Sequence, residues 1–73
     1  MTMDEAVAGL KARRATWNDA LAAYQAVGEH VVPKTHPARA AFRRADLDLN
    51  AYTSDNTVRP LLMQAMDAGI ALR

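Results

Sequence analysis

Apolar residues return along the first third of the chain at alternating intervals of four and three. Met3, Val7, Leu10, Trp17, Leu21 and Tyr24 hold this register, and Arg14 is its only polar member. That spacing repeats one face of an α-helix and predicts a long first helix from Asp4 to about Val27. Thr2 followed three residues later by Glu5 fits a capping box, and Asp4 and Glu5 put negative charge at the positive end of the helix dipole. Gly9 lies inside the helix, where glycine costs about 1 kcal/mol against alanine. Lys11, Arg13, Asn18, Asp19 and Gln25 fall mostly on the wet side. Thr16-Trp17-Asn18-Asp19 is the one place where a second N-cap would divide the helix. Gly28 supplies its stop, since glycine takes the left-handed conformation without steric cost.

From Gly28 to Pro37 the run GEHVVPKTHP has no helical period and reads as a connecting loop. Pro37 has its φ preset for a first helical turn, with Thr35 or His36 as cap. A second helix is predicted from Pro37 to Tyr52, with Ala38, Ala41, Phe42, Ala45, Leu49 and Tyr52 on one face. Arg43, Arg44, Asp46 and Asp48 take the other side, and Leu47 points away from the apolar face. Arg44 and Asp48 are four apart in the weaker, basic-before-acidic order. Thr53 to Thr57 is a cluster of turn and capping residues. A third helix follows from about Val58 to Leu72, with Pro60 harmless in its first turn. Only Gln64 and Asp67 are polar in its middle, so it must bury more than one face. Two other helices cannot cover all of that, which points to a second copy or a partner. Strand-like alternation appears nowhere over more than four residues. The expected fold is all-α: a long helix 1 and helix 2 as an antiparallel hairpin, with a short apolar helix 3 against it.

Length and composition narrow the setting. Seventy-three residues form one domain, 1–73, too small to be stable by a large core alone. Cysteine is absent, which removes disulfides and thiolate metal sites together. Nine Lys and Arg against eight Asp and Glu leave a net charge of only +1, which counts against a life on nucleic acid. The opening MTMDEAVAGL has neither the basic region nor the continuous apolar stretch of a signal peptide, and no run approaches a membrane span. The expected location is the cytoplasm, the host's if the chain is phage-encoded.

Candidate chemistry is sparse. His30 and His36 share the loop with Glu29, but their spacing matches no standard metal site and a third strong ligand is missing nearby. Ser54 lacks the glycine-flanked elbow of a nucleophile, and Asp46 and Asp48 are two apart on a helix, hence on different faces. The expectation is a protein that is no enzyme and needs no metal or cofactor. The stretch from His30 to Ala45 carries Lys34, Arg39, Arg43 and Arg44 without an acid, and Arg39 and Arg43 lie one turn apart. Arg14, inside the apolar seam, either snorkels to water or pairs with an acid, for instance across a dimer. Met63 and Met66 are adaptable side chains of the kind that partner-binding surfaces favour. The predicted partner-binding set is Lys34, Arg39, Arg43, Arg44, Met63, Met66 and Ile70. The arginines provide steering, and helix 3 provides affinity and a homodimer contact.

The run Trp17-Asn18-Asp19-Ala20-Leu21-Ala22-Ala23-Tyr24 resembles one found on the first helix of small alanine-rich helical proteins encoded by phages and prophages. Those with known roles tend to block or redirect a host machine, and they include anti-CRISPR proteins and inhibitors of transcription. The resemblance implies a stoichiometric binder of a host protein or complex that acts by occlusion, and it implies no site residue. The leading expectation is therefore a protein-binding module, plausibly an inhibitor. The alternatives are a nucleic-acid-associated protein that uses the basic patch, and a small structural or assembly subunit.

Overall fold

The computed structural model describes residues 1–28 and 36–72. Three helices follow in order, α1 over Met3–Ala26, α2 over Pro37–Ser54 and α3 over Val58–Asp67, and no strand occurs among the described residues. The all-α expectation holds. α1 runs unbroken through Trp17, because Thr16 turns its hydroxyl back to the Ala12 carbonyl, 3.2 Å away, and does not cap a new helix.

The capping box forms as expected. The Glu5 amide donates to the Thr2 hydroxyl at 3.2 Å, and the Thr2 amide donates to the Glu5 carboxylate at 3.1 Å. The Thr2 amide, then its hydroxyl, then the N-terminal ammonium hold the Glu5 carboxyl below the usual carboxylate range. A folded-state pKa below the unfolded one adds stability above the ordinary range, and that stability is lost as pH falls through the depressed value. Acidification should therefore fray the first turn of α1. Far-UV circular dichroism followed down through that range should show a component that is missing in Glu5→Gln.

α2 begins where Pro37 predicts. The imidazole Nδ1 of His36 caps it by accepting from the Ala38 amide at 3.1 Å, while Thr35 lies outside the described residues. α2 runs two residues past Tyr52, to Ser54. Asp55 then reverses the chain: its carboxylate accepts from the Thr57 amide at 2.8 Å and the Val58 amide at 3.1 Å, which starts α3. α3 is shorter than its apolar run suggested and ends at Asp67, not Leu72. Gly69 takes φ +78°, the Gly69 amide donates to Met66 O and the Ile70 amide to Ala65 O. These are the two hydrogen bonds of a Schellman stop, which turns Ile70 and Leu72 back against the core.

Pairings between α1 and α2 descend on one helix as they ascend on the other, so the two form an antiparallel hairpin. Tyr24 and Trp17 both meet Phe42, Trp17 reaches Asp46, and Tyr52 reaches Ala6. The buried core lies at one end of this hairpin, where Ala6, Val7 and Leu10 of α1 meet Val58, Leu62 and Ala65 of α3. α2 buries only Ala45, and Ala41, assigned to its apolar face by spacing, is exposed. At 1.5 Å per residue α3 is about 15 Å long against about 36 Å for α1. The third helix thus covers less than half of the hairpin. Beyond Leu10 the seam of α1 (Arg14, Trp17, Leu21 and Tyr24) is only half-buried.

Candidate binding surfaces

A few charged and polar side chains decide which surfaces are left open. Trp17 needs an acceptor for its indole N–H, and Nε1 donates to Asp46 Oδ1 at 3.1 Å. The Asn50 amide donates to the other Asp46 oxygen at 3.4 Å. Arg13 lies half-buried between the helices, with its guanidinium 4.0 Å above the centre of the Tyr52 ring. Its Nη1 donates to the Gly9 carbonyl at 3.1 Å. Its Nε stands 3.5 Å from Asp48 Oδ2, close enough for ionic attraction but without hydrogen-bond geometry, so the atom is left without an acceptor.

These contacts correct the expectation of wet faces for Arg13 and Asp46, which are half-buried, whereas Asp48 stays on the wet side with its side chain 61% exposed. Asp46 follows Ala45 and so flanks the face that α2 turns toward α1, and its short carboxylate reaches inward to Trp17. The cation nearest Asp48 is Arg13 of the facing helix, in place of the weak pairing that the Arg44–Asp48 spacing allows. The third acid of this stretch, Asp55, is occupied in starting α3. Of the acids that offset the arginines in the sequence, Asp46 is therefore spent inside the hairpin and Asp55 at a helix start, while Asp48 remains exposed.

Outward on α2, two arginines and the exposed Asp48 stand around one apolar residue. Arg43 and Arg44, both exposed, stand four and three residues before Leu47, within one turn of it, and Leu47 is 56% exposed. Arg39, one turn before Arg43, is half-buried. Lys34 lies outside the described residues, as do Glu29 and His30. Sequence reading named the arginines but passed over Leu47 as an ordinary surface leucine. The available signal was its position a turn after two adjacent arginines.

A second surface lies where α3 stops short. Lys11, Arg14, Ala15, Trp17, Asn18 and Leu49 line an open groove of about 580 Å³. Next to it, Arg14 also lines a hollow of about 540 Å³ with Met66, Gly69, Ile70, Ala71 and Leu72. Arg14 is half-buried between the two. Met63 and Met66 are 57% and 63% exposed, and Ile70 is half-buried against the core. The predicted partner-binding residues thus fall in two places. Arg39 and Arg43 flank Phe42 in the part of α2 that meets Trp17 and Tyr24, and the residues at 63, 66 and 70 sit where α3 docks.

Among the described residues no group of three or more His, Asp or Glu side chains converges as a metal site, and no helix is long and apolar enough to cross a membrane. No family model, curated protein or solved structure matches the chain. Its role must therefore be argued from these surfaces.

Proposed function

We propose that this chain is a protein-binding module without chemistry of its own, and that the outer face of α2 is its contact with an acidic protein surface. The observation that carries this reading is the placing of the exposed Arg43 and Arg44 within one turn of the exposed Leu47, with the Asp46 carboxylate turned in to Trp17. An apolar anchor inside a rim of arginines is the make-up of an interface hot spot, with the charges speeding encounter and fixing orientation. The resemblance to phage-encoded binders supports the same reading and adds its consequence, the occlusion of a host assembly. Nucleic acid fits less well, because recognition there draws mainly on phosphate-neutralising cations, and the chain carries an excess of only one.

Affinity capture from a lysate of the source organism or its host, with nuclease present, tests this. The wild-type chain should retain a stoichiometric protein, and Arg43→Glu with Arg44→Glu should weaken that complex at least ~100-fold, about 2.7 kcal/mol. Recovery of nucleic acid alone, lost steeply as salt rises, would replace this reading with the phosphate-binding one.

A further inference from the structure

The groove beside α3 is a separate surface from the arginine face, and what it holds does not depend on the role of α2. Its floor and neighbouring hollow are apolar, with Trp17 and Leu49 at one end and Ile70, Leu72 and Met66 at the other. Its charges are Lys11 and Arg14, while Asp67 stands exposed next to Met66 at the α3 margin. The groove and hollow are thus apolar with a basic rim, and Asp67 lies on α3 outside both linings.

The size of what is missing can be gauged. A compact monomer of 8.0 kDa exposes about 4,450 Å². This chain exposes 5338 Å², an excess close to the ~800 Å² that each side of a standard interface buries. Its radius of gyration is 14.5 Å where a compact chain of its length has about 11 Å, and its extents are 42 × 20 × 15 Å. A chain with no cysteine and a core whose largest fully buried side chain is one leucine has few other staples.

We infer that a second copy of the chain covers this face in a two-fold dimer. The Met63–Met66 edge of α3 in each protomer seats in the Trp17–Leu49 groove of the other. Two-fold symmetry makes every contact occur twice, so Arg14 of each protomer meets the Asp67 carboxylate of its partner. The axis passes near the hollow where Arg14 meets Ile70 and Leu72. The excess surface and the exposed methionines then have one cause.

Sedimentation equilibrium of the full chain at tens of micromolar tests the inference. The expected mass is twice the 8.0 kDa monomer. Met66→Lys sets a cation against the partner's basic rim and should return the monomer without loss of helicity, since Met66 is exposed. Arg14→Asp and Asp67→Arg should each weaken the dimer at least tenfold, and the double exchange should recover most of that loss. A monomer at every concentration overturns the inference. So does a dimer that is indifferent to Met66→Lys. A monomer that still captures an acidic protein through Arg43 and Arg44 would remove the dimer alone. A dimer that captures nothing would remove the α2 reading alone.

Discussion

Leu10→Ala should cost about 2–5 kcal/mol and lower the melting temperature by ~10–30 °C. Leu10 is the largest fully buried side chain, 1% exposed, where the first turns of α1 meet Val58, Leu62 and Ala65 of α3. Truncation removes both its transfer free energy and the packing of its neighbours, and three short helical segments have little means of closing the gap. A domain of this length has roughly 4–11 kcal/mol of stability in all, so the change removes a large share of it. Thermal and urea denaturation followed by circular dichroism give the comparison. A loss below ~1 kcal/mol would mean that the core is not where the buried residues place it.

Gly9→Ala should also destabilise the protein, against its better helix propensity. A Cβ at this position would run into the Tyr52 hydroxyl and stand 2.8 Å from Cζ and 3.2 Å from Arg13 Nη1. The tyrosine cannot simply withdraw, because its hydroxyl donates to the Ala6 carbonyl at 2.7 Å and its ring carries the Arg13 guanidinium. Overpacking costs about 1–3 kcal/mol and the lost hydrogen bond about 1, while propensity returns about 1, for a net loss of ~1–3 kcal/mol. Tyr52→Phe removes the hydroxyl, so Gly9→Ala should cost clearly less in that background than in the wild type. Equal costs in both backgrounds would show that the hydroxyl does not set the spacing between α1 and α2.

The three glycines show where sequence reading succeeds and where it stops. Gly28 is legible as a helix stop because the reason is local, and its φ of +70° bears this out. Gly69 has the same chemistry, but it sits inside an apolar run whose composition outweighs it, so helix 3 was expected to run on to Leu72. Gly9 reads as a tolerated cost because its reason, a tyrosine 43 positions away, has no local trace. The open surfaces follow the same division. Arg43, Arg44, Met63 and Met66 were recognisable one by one from residue type and helical phase. That Asp46 turns inward depends on Trp17 in another helix, and periodicity within one helix carries no such information.

The place of the core also bears on when the chain can fold. Residues 6–10 find their buried neighbours at 58–65, so the interior joins segments about fifty residues apart. During synthesis α1 and α2 can emerge and pair through Trp17, Tyr24 and Phe42, but that hairpin has almost no interior. The growing polypeptide must hold the apolar start of α1 open until α3 has left the ribosome. Over that interval the exposed Val7 and Leu10 are available to other chains and to chaperones, and completion of α3 closes the window.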